Sequence, residues 1–230
     1  VFNSLSWKRS SIVNTELVFD PGSSFEVSLF DAEGHQISSQ LSEIIEHADG
    51  SIKRAKLCFV GKDIPAVGYK IFYLKSVTQN IARPMPKQGS RIENSFYILQ
   101  FGNGGIERIF DKELNKEVIQ SNGFSAGEVF TMRSVGNGAG EFGQVQQPDM
   151  EGFDKTGNYN TEWKLTEDGD VYTAYAYRQA VKNAVVEQKV ILYKELKKID
   201  FEIAILNWEG VLYREYRMAL PVNAVNGKVV

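Results

Sequence analysis

The sequence predicts an all-β protein arranged as two consecutive β-domains. Short runs in which polar and apolar residues alternate with period two carry that expectation, because alternation marks a strand with one buried face. Clusters of Gly, Pro, Asn and Asp between the runs add to it. So does one strong hairpin signal, Asn103-Gly104-Gly105 between two such runs.

Taken in order, the strand-like runs of the first block are Ser11 to Phe19, Phe25 to Phe30, Ser51 to Val60 and Tyr69 to Leu74. Asp20-Pro21-Gly22-Ser23, Asp31-Ala32-Glu33-Gly34, Asp49-Gly50 and Ala66-Val67-Gly68 separate them at the spacing of a small sandwich. Ser38 to His47 fits one helical turn or another strand. From Ser76 to Gly89 the apolar pattern stops and Pro84 and Pro86 appear, the composition of an exposed linker. These features place a small β-sandwich at 1–78, a linker at 79–91 and a larger β-domain at 92–230.

The second block resumes with Ser95 to Phe101, turns through Gly102-Asn103-Gly104-Gly105 and returns as Ile106 to Phe110. Asp111 to Val118 reads as a polar turn or a short helix. Gly136 to Tyr159 is a long stretch rich in glycine and amides, and long ordered loops in β-proteins are usually functional or held by contacts elsewhere. Val171 to Tyr177, Ala184 to Tyr193, Ile199 to Trp208 and Leu212 to Leu220 then read as strands. Interleaved charges such as Glu187, Lys189, Asp200 and Glu202 give them one wet face.

The chain has 230 residues, of which 43% are apolar, enough for a substantial core. Its 26 basic and 29 acidic side chains leave a net charge of -3, which provides no field for a polyanion, so nucleic acid and anionic membranes drop out as partners. The lone cysteine, Cys58, lies in Ala55 to Val60 and is expected to be a small buried hydrophobe. No run approaches the roughly 18 apolar residues of a membrane span. The opening Val1 to Trp7 lacks the charged start and apolar run of a signal peptide, so no compartment is indicated. Both ends read as cut from something longer, and a domain parted from its neighbours is expected to leave apolar surface uncovered.

Catalytic motifs are sparse. His47-Ala48-Asp49 has a metal-ligand spacing but no further histidine in a comparable context, since His35 lies in a separate turn. A G-x-S-x-G elbow is missing, and neither glycine-rich stretch opens a helix or carries a P-loop lysine. One constellation suits sugars: Glu141, Gln144, Gln147 and Asp149, followed by Tyr159 and Trp163. Planar amides and carboxylates bond vicinal hydroxyls, and aromatic faces cover the C–H side of a sugar ring. Against this stands the alternation of Trp163 with Leu165, which makes Trp163 a core strand residue.

Val1-Phe2-Asn3-Ser4-Leu5-Ser6-Trp7-Lys8-Arg9 and Ile64-Pro65-Ala66-Val67-Gly68-Tyr69-Lys70-Ile71-Phe72-Tyr73 resemble the segment that follows the catalytic part of α-mannosidases of glycoside hydrolase family 38. Ile92 to Tyr97, continuing through Gly105 to Val118, resembles the opening of that family's large C-terminal β-domain. Gln147 to Asp154 and Trp208-Glu209-Gly210 fit the same region. The resemblance implies a small β-sandwich followed by part of a galactose-mutarotase-like β-supersandwich, truncated at its C-terminus. It also implies that the family's zinc and carboxylate nucleophile belong to a domain preceding Val1, since His47-Ala48-Asp49 does not sit in the family's metal motif.

The expected function is therefore the non-catalytic β portion of a retaining, zinc-dependent α-mannosidase. It would scaffold the upstream catalytic domain of the same polypeptide, contribute loops to a cleft for mannose-containing glycans, and offer surface for a homo-oligomer. No catalytic residue, metal ligand or cofactor is expected in this chain, with zinc residing in the catalytic domain. An independent carbohydrate-binding module is the alternative. An epimerase of the mutarotase kind would want a general base and acid, commonly histidine and glutamate, and both histidines lie in the first block.

Overall fold

A computed structural model describes residues 1–78, 90–134 and 150–224. They form strands, turns and one short 3-10 helix, Thr156–Asn158. Two compact units emerge: Val1–Pro86 with Glu167–Tyr172, and Lys87–Thr166 with Thr173–Val230. The assignment of Glu167–Tyr172 to the first unit has no signal in the sequence.

The first unit contains β1 (Phe2–Asn3), β2 (Arg9–Val18), β3 (Glu26–Phe30), β4 (Gln36–Ile37), β5 (Ser39–Glu46), β6 (Ile52–Ile64), β7 (Gly68–Tyr69) and β8 (Tyr73–Val77). Antiparallel pairing builds one sheet in the order β2-β6-β5, a second in the order β4-β3-β8, and the small ladder β1-β7. The ambiguous segment 38–47 is thus strand β5. Its Gln40 and Leu41 pair with Cys58 and Leu57 of β6, a tertiary contact that local propensity does not encode. Leu29, Leu57 and Phe59 form the buried centre, with Val13, Leu17, Ile37 and Leu41 packed against them. Cys58 is buried, as its alternation predicts.

The second unit contains β9 (Arg91–Glu93), β10 (Tyr97–Gly102), β11 (Gly105–Asp111), β12 (Lys116–Glu117), β13 (Val129–Arg133), β14 (Asp154–Lys155), β15 (Lys164–Asp168), β16 (Tyr172–Val181), β17 (Ala184–Tyr193), β18 (Ile199–Leu206) and β19 (Arg214–Met218), with the last two residues of β15 and the first of β16 belonging to the first unit. Its sheets run β12-β11-β10-β9, β14-β13-β19 and β15-β16-β17-β18. The segment 111–118 is a turn followed by β12. Asp111 Oδ1 accepts the backbone N–H groups of Glu113 and Leu114 there, and bends the chain where a helix was an option. Leu99, Phe101 and Ile109 from one four-stranded sheet meet Tyr175, Tyr177, Val186, Val190 and Leu192 from the other, with Val129 beside them.

Candidate functional site

Four of the residues singled out for sugar binding, Glu141, Gln144, Gln147 and Asp149, lie outside the described residues. The other two are placed separately. Trp163 is only 7% exposed. Its ring lies 4.5 Å from Phe101 and 4.6 Å from Tyr177, and its indole N–H donates to the Gly102 carbonyl at 2.8 Å. It fills the core and presents no open face for a sugar, as its alternation with Leu165 indicates. Tyr159 is 37% exposed, and its hydroxyl donates to Asp154 Oδ2 at 2.7 Å.

Asp154 is the hub of that neighbourhood. Its carboxylate also accepts from Asn158 Nδ2 and from the backbone N–H groups of Lys155 and Lys182. Burial works against the charged carboxylate, but the bonds from Tyr159, Lys182, Asn158 and Lys155 outweigh it and hold the pKa below the ordinary carboxylate value. A depressed folded pKa stabilises the fold above the unfolded value of about 4, and that stability is lost as pH falls through the folded value. Urea midpoints measured from neutral to strongly acid pH should therefore fall below about pH 4, and less steeply in Asp154→Asn. Equal slopes in the two proteins would show that Asp154 is not the coupled group.

A polar depression of about 460 Å³ opens near the β10–β11 turn, walled by Asn103, Glu107, Ser121, Ser125, Glu128 and Lys155. Glu128 forms its floor and is 1% exposed. Its Oε2 accepts the Ser125 N–H at 2.8 Å, and its Oε1 accepts the Gly157 N–H at 3.0 Å and faces Lys155 Nζ at 3.1 Å. Lys155 Nζ also donates to the Gly123 carbonyl and lies 4.9 Å from the centre of the Phe124 ring.

Gly104 locks the rim. It has φ +69°, and a Cβ there would lie 2.4 Å from Gly157 N, so no larger residue fits. The Gly104 N–H donates to Thr161 Oγ1, while its carbonyl accepts from Thr156 Oγ1 and from the Tyr177 hydroxyl. Burial pushes that hydroxyl's pKa up to about 12, so it stays protonated and donating. Sequence reasoning treated Gly102 to Gly105 as a hairpin turn and missed the wall. The available signal was an acid, Glu128, inside the strand-like run Ala126-Gly127-Glu128-Val129-Phe130.

A second depression, about 380 Å³, is lined by Glu162, Lys164 and Thr166 with Arg178 of β16 and Glu187 of β17. The histidines are engaged in turns. His47 Nε2 lies 3.0 Å from the Phe19 carbonyl, whereas Asp49 accepts from the Ser51 N–H and hydroxyl, so each has hydrogen-bond partners of its own. Asp31, Glu33 and His35 bring donor atoms within 4.8 Å of one another. Asp31 Oδ1 accepts the N–H groups of Glu33 and His35, and its Oδ2 pairs with His35 Nδ1, so the trio closes a turn and we assign it no metal. No helix among the described residues is long and apolar enough to cross a membrane.

Fold and site together define an antiparallel β-sandwich protein carrying a preorganised polar depression. The model of the glycosyl hydrolases family 38 C-terminal domain matches residues 92–227, more than half of the chain, and the chain belongs to that family. A crystal structure of a protein in the glycosyl hydrolase family 38 from Enterococcus faecalis superposes with a TM-score of 0.59 at 14% identity. The match covers 94% of this chain and 32% of that one, so the chain spans about a third of the length of its structural relative. No curated protein sequence matches. The chain thus comprises a C-terminal domain of glycosyl hydrolases family 38.

Proposed function

We propose that the chain is the C-terminal β portion of a retaining, zinc-dependent α-mannosidase, that it scaffolds the catalytic domain of the same polypeptide, and that it contributes loops to the cleft for mannose-containing glycans. The observation that carries this reading is the family match over residues 92–227. The segment resemblance to α-mannosidases adds the substrate class.

Exposed apolar surface in the first unit supports the scaffolding role. Phe2 is 83% and Val67 76% exposed, and Phe2 faces Tyr69 across the β1-β7 ladder with ring centroids 5.6 Å apart. The buried Asn3 side chain holds this corner still. Its amide donates to the carbonyls of Trp7, Ile64 and Pro65, and its Oδ1 accepts the Leu5 N–H. Val67 has φ 45°, sparsely populated by β-branched residues, and its N–H donates to the Leu5 carbonyl. A rigid apolar corner loses little entropy on docking, which suits a permanent contact with a neighbouring domain.

The test is hydrolysis of an aryl α-mannoside with zinc supplied, by the 230-residue chain and by a longer polypeptide that carries it. Activity is expected in the longer polypeptide, abolished by a chelator, and not in the chain alone. Chelator-sensitive activity in the isolated chain would overturn the proposal, as would a longer polypeptide inert toward α-mannosides.

A further inference from the structure

We propose that the depression around Asn103 and Glu107 is a binding subsite for one pyranose ring of a neutral glycan. Its hydrogen-bonding inventory divides in two. Glu128, Lys155 and the backbone N–H groups of Ser125 and Gly157 satisfy one another and make a rigid floor. The Asn103 side-chain amide and the Glu107 carboxylate line the same space and have no hydrogen-bond or ionic partner among the described residues. The Ser121 hydroxyl gives its proton to the Glu107 carbonyl, which leaves its oxygen free to accept.

That set matches a polyol. A carboxylate accepts from two adjacent hydroxyls, an amide both donates and accepts, and a serine oxygen takes a further hydroxyl proton. Charge disfavours anions: two carboxylates, Glu107 and Glu128, face one ammonium, Lys155. The volume of about 460 Å³ falls within the roughly 300–1,000 Å³ typical of small-molecule sites.

The walls are also set before any ligand arrives. Three hydrogen bonds to Gly104 tie the β10–β11 turn to Thr156, Thr161 and Tyr177. Glu107 lies so close over Gly102 that a Cβ there would sit 1.9 Å from its Oε1, so the missing side chain is what lets the carboxylate occupy that position. Preorganisation of this kind lowers the entropy cost of binding. The inference rests on the family 38 reading only for the choice of mannose as the first sugar.

Titrating the ¹⁵N-labelled 230-residue chain with methyl α-mannoside and, separately, methyl α-glucoside to tens of millimolar tests it. Saturable amide shifts confined to 102–107, 121–128 and 155–157 are expected, with affinity weakened about tenfold in Glu107→Gln and in Asn103→Ala. Unperturbed spectra of both variants away from the site would establish that they fold. Absence of shifts with either glycoside, shifts centred on Lys164 and Arg178, or shifts unchanged in both variants would overturn the proposal. Failure here leaves the hydrolysis assay untouched, and failure of that assay leaves glycoside shifts at Asn103 and Glu107 readable.

Discussion

Trp163→Ala will destabilise the second unit by about 3–5 kcal/mol, the cost of removing a large aromatic from a packed core. The indole sits between Phe101 and Tyr177 and is 7% exposed, so its removal leaves a cavity that neighbouring strands cannot close by small shifts. The Gly102 carbonyl also loses its donor. Trp163→Phe separates the two effects, since it restores most of the apolar burial and removes only the indole N–H bond to that carbonyl, for about 1 kcal/mol. Urea denaturation of both variants measures the difference, with an unchanged slope expected. A sugar platform would behave in the opposite way, losing glycoside binding at nearly constant stability. An alanine variant within 1 kcal/mol of the parent would therefore remove Trp163 from the core.

Glu128→Ala is expected to cost about 3 kcal/mol, the lower end of the range for breaking a buried ion pair. Lys155 is 22% exposed and recovers some hydration, which keeps the cost from the upper end. The N–H groups of Ser125 and Gly157 do not recover as well, because Glu128 was their acceptor inside the turn. Glu128→Gln retains the shape and one acceptor oxygen and should cost less than the alanine. Equal losses in the two variants would mean that the charge, rather than the hydrogen-bond geometry, holds the floor together. A stable alanine variant would contradict the role assigned to Glu128.

Much of the fold was legible along the chain. Ala184 to Tyr193 was read as a strand and is β17, because Val186, Val190 and Leu192 alternate inward while Glu187 stays exposed. The Asn103-Gly104-Gly105 turn was legible because only glycine adopts φ +69° there without strain. By contrast, 38–47 was ambiguous because β5 is fixed by pairing with β6 rather than by its own pattern. The candidate sugar residues fared unevenly. Tyr159 serves Asp154 and Trp163 serves the core, while Glu141, Gln144, Gln147 and Asp149 lie outside the described residues.

Period-two alternation is a local property, and from it alone the all-β class was legible, as β3 and β17 illustrate. Which strands become neighbours is not local: β13 pairs with β19, bringing Thr131 opposite Tyr216. The convergence of Glu128 with Gly157, or of Gly104 with Thr161, was decided only by that tertiary closure. The period gives the face a polar side chain takes but not what it meets there, so whether a given acid meets solvent, an ammonium or a row of backbone N–H groups depends on strands brought together from distant parts of the chain.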